Sequence, residues 1–340
     1  MTNRSSRAQL VVFNLAAVVM ISAPLHAQPM ESLGTRALGM AGAFVAVADD
    51  PTAIYWNPAA LAIGPFGAFA VEGQDLERGP DLLTGADRRR SFFIGAAVPS
   101  IGFGYYRVTM QSVAPDAAQR DGRNDPRAPS PGLLSLVTDN VGLTLLQSLA
   151  DGIAVGGTLK YVRGTAAAGA ASGPIDPGDE NARLDQAARL EGHARGAFDL
   201  DLSAIAKFKM LRLGVVAQHL VEPTFATPEG VEMTLDRQVR LGVAVQPKAG
   251  LLIDVDIDLT RRLTVSGEER RRIALGAESP VGGRVMVRGG LRFDAEELGE
   301  LVPAAGLSLG LSKRFWVDIQ MTLGNSQNDH GWGIGGRFVM

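Results

Sequence analysis

Between residues 251 and 259 the chain alternates apolar and acidic positions. Leu251, Ile253, Val255, Ile257 and Leu259 share one face, and Asp254, Asp256 and Asp258 share the other. A period of two is the signature of a strand. The same pattern sets Val239, Leu241, Val243 and Val245 against Arg240, and Phe198, Leu200 and Leu202 against Asp199 and Asp201. Phe315, Val317, Ile319, Met321 and Leu323 oppose Asp318 and Gln320, while Val285, Val287, Leu291 and Phe293 oppose Arg288 and Arg292. Each run is about 9–11 residues, the length of a tilted membrane-spanning strand.

About fourteen such strands are predicted, over 66–73, 91–98, 101–108, 136–146, 152–163, 196–207, 211–221, 237–246, 250–259, 271–279, 284–293, 303–312, 314–323 and 331–339. The links between them alternate. Tight ones fall at 99–100, 147–151, 208–210, 247–249, 280–283 and 313. Longer ones fall at 74–90, 109–135, 164–195, 222–236, 260–270, 294–302 and 324–330. Short turns on one side and long loops on the other mark an outer-membrane barrel. Lipid offers no hydrogen bonds, so the sheet must close. The fold class is all-β, a transmembrane antiparallel barrel with an N-terminal plug. Within the link 164–195, residues 182–190 are a candidate short helix.

Charge and composition narrow the function classes. The net charge of -3 argues against a nucleic-acid surface, and the absence of cysteine excludes disulfides and thiolate metal sites. Arg4 and Arg7 precede a short apolar run ending near Ala27, which is the layout of a secretory signal peptide. The expected organisation is therefore a signal peptide at 1–27, a hatch segment at 28–65 and the barrel at 66–340. Aromatic residues make up 6% of the chain, so the interfacial girdles are thin. Tyr105, Tyr106, Tyr161, Trp316 and Trp332 are the candidates for them.

The polar faces carry complementary charges. Arg240 lies on the strand before Asp254, Asp256 and Asp258, and Arg272, Arg288 and Arg292 lie on the strands after. A cross-strand ladder of ion pairs inside the lumen is the expected arrangement. Same-face residues stand roughly 6.5–7 Å apart, too wide for the aspartates to share one ion, so no metal is expected. The histidines are scattered, and no nucleophile elbow or phosphate loop is present. No cofactor and no enzymatic activity are expected.

Residues 34–62 read GTRALGMAGAFVAVADDPTAIYWNPAALA. The combination of Arg36-Ala37-Leu38-Gly39, Gly42-Ala43-Phe44, Ala48-Asp49-Asp50 and Asn57-Pro58-Ala59 before Leu61 resembles the N-terminal signature of the FadL-like outer-membrane protein superfamily. It is more similar to the PorV and related branch than to the long-chain fatty-acid transporter. The resemblance implies a fourteen-stranded barrel whose N-terminal segment folds inward as a hatch. It makes Gly39, Gly42, Phe44, Asp49, Asp50, Asn57, Pro58 and Ala59 the candidate hatch residues. In the transporter branch a hydrophobic small molecule crosses the outer membrane through the lumen. In the PorV-like branch the barrel is a partner for secreted or other envelope proteins. Outer-membrane lipid surrounds either. If the segment enters the lumen, Asp49 and Asp50 are expected to meet arginines such as Arg240 or Arg288.

Overall fold

The computed structural model describes residues 25–27, 32–81, 85–98, 100–113, 132–171, 179–263, 269–295, 301–325 and 328–340. Most of the expected signal segment lies outside them. Leu25–Ala27 pairs in parallel with Glu232–Leu235 in a small sheet that also contains Thr224–Ala226.

Fourteen strands make one closed barrel: β1 (Ala68–Asp81), β2 (Gly85–Val98), β3 (Ile101–Val113), β4 (Gly132–Ala150), β5 (Ile153–Ala170), β6 (His193–Phe208), β7 (Leu211–Gln218), β8 (Gln238–Lys248), β9 (Leu251–Asp258), β10 (Arg272–Pro280), β11 (Val285–Asp294), β12 (Val302–Gly310), β13 (Phe315–Leu323) and β14 (His330–Val339). Each pairs antiparallel with the next, and β14 returns to β1 through the register Ile334↔Gly73, so no barrel edge is left open. Each coincides with one alternating stretch of the sequence.

The alternation sorts faces as expected. Phe198, Leu202, Leu241, Val243, Ile257, Leu275, Ile319, Met321 and Ile334 stand exposed on the outer wall. Asp199, Asp201, Arg240, Asp254, Asp256, Arg288, Arg292, Asp318 and Gln320 are buried inside. The exterior is the apolar band that a bilayer requires. Tyr106 departs from expectation: it faces inward and is buried, so it belongs to no girdle, whereas Tyr161 and Trp332 are exposed.

The stretch 74–90 is not a long loop. β1 and β2 run on through it to Asp81 and from Gly85. Its charged residues read as loop, yet they pair across the ladder: Arg88 Nε lies 2.5 Å from Glu77, and Arg90 Nε lies 3.0 Å from Asp75. Cross-strand ion pairs let a polar ribbon continue beyond the apolar band. The link after β5 carries helix α3 (Glu180–Ala188), whose cap residue Asp179 accepts the Ala182 N–H at 3.1 Å. Leu184 and Ala187 bury against Ala86, Val113 and Leu133, so α3 lies over the long-loop end of β2–β4.

An eight-stranded barrel is just filled by its own side chains, so fourteen strands leave a lumen to be occupied. Residues 32–62 occupy it, and nearly all of them are buried. The segment forms α1 (Thr35–Gly39), α2 (Ala53–Trp56) and a 3-10 helix at Pro58–Ile63.

Candidate functional site

The candidate site is the contact between this inner segment and the wall. Its chain reversal after α1 uses a positive φ of 91° at Gly42, a conformation that suits a residue without a β-carbon. Gly39 lies against β11 and β12. A β-carbon there would come 2.9 Å from Arg288 Cδ and 3.2 Å from Gly306 Cα.

Arg36 is the electrostatic centre. Its Nε and Nη2 donate to the two Glu278 oxygens at 3.0 and 2.8 Å. Its Nη1 reaches Asp49 at 2.7 Å and Asp50 at 2.9 Å. Its guanidinium also lies 5.2 Å from the centroid of the Phe44 ring. A planar fork on a carboxylate is the strong, directional form of an ion pair. Asp50 accepts in addition the Thr52 N–H at 2.9 Å, which shapes the turn into α2. Asp49 and Asp50 therefore do not meet Arg240 or Arg288. A residue of their own segment takes them, and Asp49 reaches Arg212 only at 3.8 Å.

Aromatic packing completes the segment. Trp56 meets Phe44 edge-on at 6.0 Å and Tyr55 at 5.8 Å, and Tyr55 meets Tyr106 of β3 at 5.4 Å. Trp56 Nε1 donates to Leu33 O at 3.0 Å. Asn57 donates to Val45 O at 2.7 Å and ties the two arms together. Pro58 opens the 3-10 helix, and the Ala59 N–H donates to Ser203 Oγ of β6 at 2.8 Å.

The lumen ladder is corrected by the register. Only Arg240 and Asp258 form the expected pair, opposite each other with Nε at 2.6 Å from Oδ1. Asp256 lies opposite Gly242, and Asp254 opposite Ala244. Asp256 instead accepts the Phe44 and Val45 N–H groups at 2.8 and 2.9 Å. Arg288 serves Glu278 at 2.9 Å. Arg292 and Arg272 turn to Asp329, at 2.5 and 3.5 Å, and Arg89 and Arg78 join that same carboxylate at 2.5 and 3.2 Å. Asp329 is thus a hub near the long-loop mouth.

Sequence reasoning missed Arg36, Glu278 and Asp329 as site residues. Arg36 stood within the quoted signature, and Glu278 shares the inward parity of Arg272; nothing local marked Asp329. A second buried cluster was also missed. Lys160 Nζ bridges Asp199 at 2.8 Å and Asp201 at 2.7 Å, and His219 Nδ1 lies 2.6 Å from Asp199. Two carboxylates and an imidazole are a metal-ligand set in kind, but the lysine ammonium bridges both carboxylates and takes the place between them.

At Gly156 and Gly157 the wall is one backbone thick. A β-carbon on Gly156 would lie 2.7 Å from the Ala59 nitrogen. Outside, a groove of about 640 Å³ is lined by Leu145, Val155, Gly157, Leu202 and Ser100 among others.

A closed, plugged barrel with an apolar exterior is the architecture of outer-membrane β-barrel proteins. More narrowly, the chain has the FadL-type channel fold. It superposes on the CymD monoaromatic hydrocarbon channel with a TM-score of 0.61 at 12% identity, covering 92% of this chain and 97% of that one. A Pseudomonas aeruginosa FadL homologue gives 0.57 at 12%, covering 90% and 98%. The P. putida toluene transporter TodX gives 0.53 at 11%, covering 91% and 98%. A family model described as the F plasmid transfer operon TraF protein matches residues 132–258. No curated protein matches the chain in sequence.

Proposed function

We propose that this barrel resides in a bacterial outer membrane and passes hydrophobic small molecules, with residues 32–62 as the gate. The reading rests on one observation: a channel fold over the whole barrel is stoppered by a single short segment. On its charged side that segment is anchored by Arg36 on Glu278, by the Phe44 and Val45 N–H groups on Asp256 and by the Thr35 N–H on Glu72. Two of the structures named above are by their titles a monoaromatic hydrocarbon channel and a toluene transporter, which supports an apolar cargo. Passage, rather than catalysis, suits a lumen whose buried carboxylates Asp199 and Asp201 are both held by Lys160.

A second reading is a barrel that stays shut and serves as a partner for secreted proteins. The Arg36 lock and the Asp329 hub favour it, because each ties buried charges of several strands together inside the lumen. Proteoliposomes separate the two. The intact protein is expected to speed toluene entry over empty vesicles while leaving a disaccharide excluded. Removing residues 34–60 is expected to raise conductance in planar bilayers. Toluene entry no faster than in empty vesicles would reject the channel. A deletion variant that inserts and conducts no more than the parent would reject the gate.

A further inference from the structure

The two rims of the barrel differ in charge. The short links and the strand residues beside them carry Lys207, Lys209, Lys248, Arg284, Lys313 and Arg314, all exposed. Among the described residues of those links the acid is Asp151. None of the six basic side chains has an ion-pair partner among the described residues. Toward the long-loop side, bases and acids are mixed: Arg90 pairs with Asp75 at 3.0 Å, Arg107 with Asp139 at 3.7 Å and Arg237 with Glu222 at 2.9 Å, while Arg163, Arg189 and Arg195 share that side with the exposed acids Asp179, Asp185, Glu191, Glu229 and Glu232.

The unpaired cations are interleaved with bare apolar side chains. Phe208 and Met210 alternate with Lys207 and Lys209, Val281 shares its turn with Arg284, and Leu311 shares its turn with Lys313 and Arg314. All four apolar side chains are at least half exposed. This surface continues the apolar outer wall, so it lies where hydrocarbon gives way to headgroups. Lysine is depleted at protein–protein interfaces, and four of these six cations are lysines. Cations beside apolar anchors are the composition of a membrane-interface surface.

We propose that the short-turn rim binds anionic phospholipid headgroups, of the phosphatidylglycerol type, in the leaflet it contacts. This rests on the reading of the chain as a membrane barrel. Each rim cation interacts with a phosphodiester and with the net negative charge of the headgroup. The long-loop side, where exposed acids stand among the arginines, carries no comparable pull. A basic residue near an anionic surface changes affinity about fivefold, so several together select one lipid class from a mixed bilayer.

Tryptophan quenching tests it. Trp316 shares the inward parity of Asp318 and lies against Arg337, and Trp332 stands on the outer wall toward the long-loop side, so a reporter is placed at Met210, which is exposed beside Lys209. In a Met210→Trp, Trp332→Phe background, the protein is placed in phosphatidylethanolamine–phosphatidylglycerol vesicles. Brominated chains are put on one lipid or the other at equal mole fraction. Brominated phosphatidylglycerol is expected to quench the Met210→Trp reporter more strongly. Replacing all six cations with glutamine should equalise the two lipids, and high salt should weaken the preference. Arg90→Gln with Arg237→Gln should leave it unchanged. Equal quenching in the parent, or a preference that survives the sixfold variant, overturns the proposal. So does loss of poly-L-glutamate binding in that variant with no lipid preference in the parent, which would give the rim an acidic polypeptide instead. A chain that fails to insert into any vesicle would overturn the membrane reading itself.

Discussion

The inner segment is held by two unlike walls. On the β3–β6 side the contact is one of shape. Ile54 presses on Gly102 and Gly104, where a β-carbon would come within 3.1–3.2 Å of it, Tyr55 meets Tyr106 edge-on, and Pro58-Ala59 rests on Gly156. On the β9–β11 side an equally close fit, with Met40 2.4–2.8 Å from where β-carbons on Gly276 and Gly290 would stand, is joined by charge. Glu278 holds Arg36, and Asp256 holds two successive N–H groups. A shape contact tolerates any change of charge elsewhere but no added atom. A charge contact tolerates loose packing but not the loss of a partner, because the remaining ion is left buried and unpaired. One wall thus holds the segment by fit and neutral hydrogen bonds, and the other by fit and buried charge.

Five substitutions at four positions break or sharpen this contrast. Arg36→Met should be the most damaging, costing up to about 3–5 kcal/mol, the penalty for truncating a buried pair. Urea unfolding of the refolded barrel would read it. Adding Glu278→Leu to Arg36→Met should recover part of the loss, and no recovery would refute the charged-wall account. Gly156→Val attacks the β3–β6 wall and should cost about 1–3 kcal/mol through overpacking. Its backbone neighbours cannot give way, so bilayer conductance should rise even though no charge has changed. Asp256→Ala should cost about 1–3 kcal/mol by leaving the Phe44 and Val45 N–H groups unsatisfied. Asp256→Asn, which keeps an acceptor, should cost less, and equal losses would mean that charge alone matters there.

The smallest effect belongs to a surface pair outside the lumen. The Arg88 hydrogen bond is the main influence on Asp185 in α3 and holds its carboxyl below the usual aspartate range. A depressed carboxyl contributes stability above its unfolded value of about 3.9, and that contribution is lost as pH falls through the lower folded value. Protection of the α3 amides from hydrogen exchange should therefore be unchanged from pH 7 to pH 5. It should weaken only in stronger acid. Asp185→Asn should show the weakened level at every pH. Screening by solvent keeps the change slight, since this side chain is more than half exposed.

Strand number, the face each strand turns to lipid, the side bearing the long loops and the short helix of the loop after β5 were all legible in the residues. The reason is that they follow from neighbours two positions apart, or from local turn chemistry. Even the stretch misread as a loop, 74–90, failed for a local reason: its charges looked solvated until their cross-strand partners were in place. Partner choice was another matter. Asp254, Asp256 and Asp258 are equivalent by alternation, yet register puts Arg240 opposite Asp258 and a glycine opposite Asp256. Arg36 and Glu278 are 242 residues apart, and Arg89 and Asp329 are 240 apart. The side-chain period decides only which face a residue occupies. Barrel closure and the depth to which residues 32–62 enter the lumen decide what that residue meets there, and both depend on the whole chain at once.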